Sequence, residues 1–322
     1  MPLSSPAINS GHLLDPAYHK LLDEARETWS IETLPAIRER VHAGIWPATP
    51  LRFQEQWIAR SEDDAPLRLC IYVPPGGVNG PATPSIYYIH GGGFVLGKPE
   101  MADDQLAELA RAMGALVVAI DYRLAPEHPF PTPLEDCFTG LKWLIERSES
   151  LGIDPLRITL MGHSAGGGLA AGLALLARDR GLPALAGQLL VYPMLDCRTG
   201  TPAAPWNNPT TGGFGWTADE NRFCWTCLQS EQALDKGMLN YFSPSLATDL
   251  TELPPAFIAV GALDLFFDES LDYARRLCCA GVATEMHVYS GVTHMFDLLP
   301  SSQTTRFKEA VRQVLNQWWS DE

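Results

Sequence analysis

The segment "RITLMGHSAGGGLAAGLALLARD" (residues 157–179) decides how the rest of the chain is read. Its first part, "RITLM", is a short apolar run of strand character, and "GGGLAAGLALLARD" has the small residues and leucines of a buried helix. Between them stands "GHSAG" (162–166), which puts Ser164 at a sharp strand-to-helix turn. A serine held there stands at the tip of a sheet, and Gly162 and Gly166 leave room where a side chain would strike a neighbouring strand or helix. The G-x-S-x-G pattern alone arises by chance on the order of 0.1 times in a chain of this size. The strand before it and the helix after it give it weight. The N-terminus of that helix also points positive charge at Ser164.

A serine hydroxyl is a poor nucleophile until a base takes its proton, and the base needs an acid to hold its tautomer. In a sheet of this kind the acid and the base follow the serine along the chain. Two histidines lie beyond Ser164. His287 alternates within the strand-like "TEMHVYS", whereas His294 sits in "GVTHMF", just past that strand's end, where α/β sites gather. His294 is therefore the expected base and His287 a structural or surface strand residue. The run "AFIAVGALD" ends on Asp264, the expected acid; Asp268 and Glu269 lie about one turn further on and are expected to cap or solvate the next helix. A second glycine run, "IHGGGF" (89–94), closes the apolar "PSIYY". Bare N–H groups there would meet the alkoxide that forms when Ser164 attacks an acyl carbonyl, together with the N–H of Ala165.

Outward from these runs, strands and helices alternate. "FQEQWIA", "LRLCIYV", "SIYYI", "LVVAI", "RITLMG", "LAGQLLVY", "AFIAVGA" and "TEMHVYS" read as strands. Helical periodicity appears near 103–113, 133–149, 165–179, 268–280 and 303–319, which implies a mostly parallel sheet covered on both faces. Residues 14–42, with Leu21, Leu22, Ala25 and Trp29 at helical spacing, predict a helical N-terminal segment. Residues 197–240 break the rhythm with "TPAAPWNNPTTGGFGW" and five aromatics, Trp206, Phe214, Trp216, Phe223 and Trp225. A connection of that length is a lid or a binding insertion.

Composition bounds the partners. The 322 residues are 46% hydrophobic and 19% charged, far richer in apolar material than a disordered chain. A formal net charge of −15 without a Lys/Arg cluster argues against nucleic acid or an anionic membrane. "MPLSSPAINSGHLLD" has neither the basic region nor the apolar core of a signal peptide, and no later run spans a bilayer, so a cytoplasmic protein without membrane insertion is expected. Seven cysteines suggest no disulfide framework. "CWTC" (224–227) has redox or zinc spacing but no second pair, and is read as packing; Cys278 and Cys279 are read as inert on a helix. Neither glycine run fits G-x-G-x-x-G and no HExxH occurs, so no metal or organic cofactor is expected.

Together "HGGGF" (90–94), "DYRLAPEHPFP" (121–131), "GHSAGGGLA" (162–170), "SPSLATDLTELPPAFI" (243–258) and "GVTH" (291–294) resemble the bacterial branch of the hormone-sensitive lipase family of α/β-hydrolases, over about residues 84–320. The resemblance implies an α/β-hydrolase fold with a central, mostly parallel eight-stranded sheet flanked by helices. It also implies a helical cap, built from residues 1–45 and 197–240, over a catalytic domain of residues 46–196 and 241–322. By the same resemblance Ser164 is the nucleophile, His294 the base and Asp264 the acid, with Gly92, Gly93 and Ala165 as oxyanion donors. "DYRLAPEHPFP" is read as a packed structural turn. Three positions depart from the family pattern: His163 stands where Asp is usual, "DLFFDES" where "DPLRDEG" is usual, and Met295 where Gly is common.

The leading expectation is a serine carboxylesterase acting on a small-molecule ester with a short- to medium-chain acyl or aryl group. Phe94, His163, Trp206, Phe214 and Trp216 are the candidate pocket residues; the insertion's aromatics are equally well read as a small core of their own. Two other readings share the scaffold. An acyltransferase would pass the acyl group to an alcohol, amine or peroxide, and a binding module would have lost catalysis, although it need not then keep all three of Ser164, Asp264 and His294. The family resemblance allows a homodimer.

Overall fold

The computed structural model describes residues 10–23, 27–45, 52–60, 65–78, 83–231 and 234–320. Eight strands form one sheet: β1 (Gln54–Ala59), β2 (Pro66–Tyr72), β3 (Thr83–Ile89), β4 (Leu116–Asp121), β5 (Ile153–His163), β6 (Gly187–Val191), β7 (Ala256–Gly261) and β8 (Thr284–Tyr289). Their order is β1-β2-β4-β3-β5-β6-β7-β8. β2 runs antiparallel to both β1 and β4, and every other pairing is parallel. All eight expected strands are present, with ends that shift by a few residues.

Nine α-helices complete the described chain: α1 (Leu34–Ile45), α2 (Asp103–Met113), α3 (Thr132–Glu146), α4 (Ser148–Leu151), α5 (Ala165–Asp179), α6 (Ala218–Gln229), α7 (Leu239–Phe242), α8 (Phe267–Cys279) and α9 (Ser302–Trp319). The central strands are apolar along their whole length because helices cover both faces. Alternate residues go to opposite sides. Tyr87, Ile89, Leu160 and Leu190 join the core under α3, α5 and α8, while Ile86, Tyr88, Met161 and Leu189 join the one under α2 and α9. α5 is buried from Ala165 to Ala177, so a truncation such as Leu173→Ala would cost about 2–5 kcal/mol.

The N-terminal segment is less helical than its periodicity predicts. It forms 3₁₀ turns at Ser10–Leu13 and Pro16–Asp23, and an α-helix only from Leu34. Pro35 accounts for that start: it has no N–H to give to a helix interior but fits a first turn. Ala25, residues 1–9 and most of the "SEDDAP" turn lie outside the described residues. The helix expected over 133–149 is divided into α3 and α4 at Arg147.

Residues 197–240 contain α6, which begins with a capping box: Glu220 accepts from the Thr217 N–H at 2.7 Å. Trp29 meets Trp216 edge-on at 5.4 Å and Phe223 at 6.2 Å, so the two segments outside the α/β alternation touch one another. Among the described residues no helix is long and apolar enough to cross a membrane.

Candidate active site

The chain leaves β5 through Ser164, which has φ 56 and ψ −121. Its N–H donates to Val191 O at 2.9 Å and its own carbonyl accepts from Gly168 and Met194, both at 3.0 Å. Both flanking glycines are required. A Cβ on Gly162 would run into Gly166 O, and one on Gly166 into the carbonyls of Ile89 and His90. The serine is thus fixed at the carboxyl end of the central strand with only 6% of its surface exposed.

Two loops on the same edge bring the other groups. His294 follows β8, and its Nε2 lies 2.8 Å from Ser164 Oγ. Its Nδ1 lies 2.8 Å from Oδ2 of Asp264, which follows β7. The other oxygen of Asp264 accepts from the Phe266 N–H at 2.9 Å, so the carboxylate is held on both sides. The imidazole is walled by aromatic rings: Tyr192 at 4.6 Å and Phe266 at 5.1 Å, both edge-on, and Trp216 at 5.9 Å. That enclosure strengthens each polar contact within it. His287, by contrast, is on the β8 edge with its Nε2 2.5 Å from Glu285.

The glycine triplet lies across from this line. Gly91 packs against the backbone of His163. Gly92 (φ 116) and Gly93 (φ 61) take left-handed conformations, and Gly92 O accepts from both Val95 and Leu96, closing a tight turn. Among the described residues the N–H groups of Gly92, Gly93 and Ala165 donate to no backbone carbonyl. A Cβ on Gly93 would strike Cys224 Sγ at 2.5 Å and approach the far edge of Trp216 at 3.0 Å. Cys224 is fully buried, which pushes its thiol well above the usual cysteine range. All seven cysteines are free thiols, and no described group of His, Cys, Asp or Glu is arranged to hold a metal ion.

The pocket candidates fall in different places. Trp216 reaches from His294 to Gly93. Phe214 is half-buried and its carbonyl accepts from Thr293 Oγ1 at 3.2 Å, beside the base's loop. Phe94 is buried with φ 67, its ring 5.2 Å from Trp225. Trp206 is half-buried, its indole N–H without a partner. His163 is buried on the α2–α9 side between Tyr88 and Tyr192, with Nε2 3.4 Å from Asp297.

Glu269 departs from the expectation that it caps or solvates a helix. It is fully buried, accepts from the Leu195 N–H at 2.7 Å and from the Thr199 hydroxyl, and so pins the start of the 197–240 insertion to α8. Burial pushes its carboxyl well above the usual range. Sequence reading missed three further residues at the site, Tyr192, Phe266 and Arg38. Arg38 of α1 donates to Val95 O at 2.6 Å, to Ala125 O at 2.8 Å and to both oxygens of Glu127, joining the N-terminal segment to the glycine loop and the "DYRLAPEHPFP" turn. Backbone carbonyls as partners leave no signal in a sequence; Tyr192 offered only its place at the end of β6.

A family model described as the alpha/beta hydrolase fold matches residues 86–298. The chain belongs to that family. Within it the motifs and relatives place the chain in the hormone-sensitive lipase branch. It is similar to the esterase LipI of Mycobacterium tuberculosis, with 32% identity over 98% of this chain and 100% of that one. An ethyl acetate hydrolase of Pseudomonas putida is 34% identical over 73% of each chain. A bacterial heroin esterase superposes with a TM-score of 0.87 at 32% identity, covering 97% of this chain and 100% of that one.

Proposed function

We propose that this α/β-hydrolase cleaves carboxylic esters through an acyl-enzyme on Ser164, with His294 as base and Asp264 as its orienting acid. The chain is a carboxylic ester hydrolase, as its relatives over most of its length are esterases. The observation that carries the residue roles is the unbroken line Ser164 Oγ, His294 Nε2, His294 Nδ1, Asp264 Oδ2, with 2.8 Å at each hydrogen bond.

Ser164 gives its proton to His294 Nε2 as its oxygen bonds to the ester carbonyl carbon, and Asp264 accepts from Nδ1–H and stabilises the imidazolium. The carbonyl oxygen becomes an alkoxide facing the N–H groups of Gly92, Gly93 and Ala165. The C–O bond to the alcohol then breaks as His294 protonates the leaving oxygen, and a water activated by His294 releases the acid. The cap expected from residues 1–45 and 197–240 acts as a cover, in which Trp216 lies 5.9 Å from His294. The closeness of Trp216 and Cys224 to Gly93 supports short- to medium-chain acyl or aryl esters as substrates.

The test is hydrolysis of p-nitrophenyl esters from acetate to palmitate by the wild type and Ser164→Ala. A rate that peaks at short chains and falls by about 10³ or more in the variant is expected. A variant as active as the wild type would remove Ser164 from the mechanism. An inactive wild type would return the scaffold to acyl transfer or binding.

A further inference from the structure

Asp297 takes no part in the relay above, yet lies three residues beyond His294 and is buried. Its carboxylate gathers groups from three other elements. Oδ1 accepts the Tyr192 hydroxyl at 2.6 Å, from the end of β6. Oδ2 accepts Gln105 Nε2 at 2.9 Å, from α2, and faces His163 Nε2 at 3.4 Å, at the end of β5. Neither ring nitrogen of His163 completes a hydrogen bond, so its 3.4 Å approach to Asp297 is a close contact rather than a directed bond. Burial alone would raise this carboxyl. The contacts with His163, Tyr192 and Gln105 outweigh it and hold the group at about 2, so it is ionised at neutral pH.

Tyr192 carries this anchor to the base. Its backbone is held at φ 35, in the left-handed region that a bulky residue avoids. Its hydroxyl is fixed at Asp297 while its ring forms the wall 4.6 Å from His294. An imidazole turns about two single bonds, and a displacement near 1 Å in such a group can cost about 10²-fold in rate.

We propose that Asp297 is a positioning residue for ester hydrolysis: through Tyr192 it fixes the wall that keeps His294 bonded to Ser164, and through His163 it ties that wall to the nucleophile's turn. The usual family Asp beside the nucleophile is His163 here, and the acid lies on the base's loop instead. The inference rests on the reading of Ser164, His294 and Asp264 as the triad.

The experiment compares Tyr192→Phe, Asp297→Asn and Asp297→Leu with the wild type on p-nitrophenyl acetate. Rates are taken per active site titrated with diethyl p-nitrophenyl phosphate, and melting temperature is followed alongside. Tyr192→Phe and Asp297→Leu are expected to lose about 10- to 100-fold in kcat with KM within about twofold. Asp297→Asn keeps an acceptor for the Tyr192 hydroxyl and is expected to stay within about threefold. Wild-type kcat per titrated site in Tyr192→Phe, even with a lowered melting temperature, would overturn the proposal. So would an Asp297→Asn as impaired as Asp297→Leu. If Asp297→Leu does not fold, Tyr192→Phe, which removes a single oxygen, decides alone. Ser164→Ala in the same assay separates the two readings: if it is inactive while Tyr192→Phe is unimpaired, only the positioning role falls, whereas an active Ser164→Ala overturns the triad and this inference with it.

Discussion

The carboxyl edge of the sheet and the proposed cover are held together by different physics. At the edge, Ser164, Asp264 and His294 stand one, three and five residues past the ends of parallel strands, held by backbone hydrogen bonds and, around Ser164, by glycines whose Cβ would strike neighbouring backbone. The cover is held by aromatic edges, Trp29 on Trp216 and Phe223, and by single polar pins such as Arg38 and Glu269. A region fixed by backbone tolerates no displacement. One fixed by side-chain contacts can be remodelled, and the proposal puts differences in substrate there.

The comparison is most sharply broken at the edge itself. Asp264→Asn should lower kcat by about 10³ to 10⁴ with little change in melting temperature, because with its amide oxygen on the Phe266 N–H the new NH2 faces Nδ1 and holds the imidazole in the wrong tautomer. Gly93→Ala should follow with about 10² to 10³, as the new methyl collides with Cys224 and displaces an N–H donor; a rate within threefold of wild type would remove that loop from oxyanion binding. On the cover, Trp216→Ala should leave acetate hydrolysis within about tenfold while raising decanoate relative to acetate by about tenfold, measured as the ratio of kcat/KM values. Arg38→Met should cost about 1–3 kcal/mol in a urea melt, through carbonyls of Val95 and Ala125 left without their donor.

The last effect is read in acid. Asp297 is held below the ordinary carboxylate range, so it binds fewer protons folded than unfolded. Its stabilisation is complete above about pH 4 and is lost as pH falls towards 2. Asp297→Asn should therefore be destabilised relative to wild type near pH 6 by on the order of 2 kcal/mol, with the gap narrowing below pH 4 in paired denaturant melts.

The edge was legible in the sequence and the cover much less so, for the same reason. Strand periodicity and chain order bring "GHSAG", "GALD" and "GVTH" to one edge, since parallel strands deliver their ends there. Nothing periodic brings Trp29 to Trp216 or Arg38 to Val95. Those contacts depend on how irregular segments pack, and Pro35 sets only where α1 begins. Glu269 shows the limit within a regular element: helical spacing placed it in the first turn of α8 but could not say that the Leu195–Thr199 stretch would bury it.

Among the described residues six non-glycine side chains have positive φ, and four of them, Phe94, Ser164, Tyr192 and Met295, lie in the loops around the triad. Each such backbone costs on the order of 1–3 kcal/mol. Backbone strain is therefore concentrated around the proposed site rather than spread through the fold. Met295, 43% exposed and immediately after the base, is the simplest case. Glycine there would remove the strain in the folded chain while giving the unfolded chain more freedom.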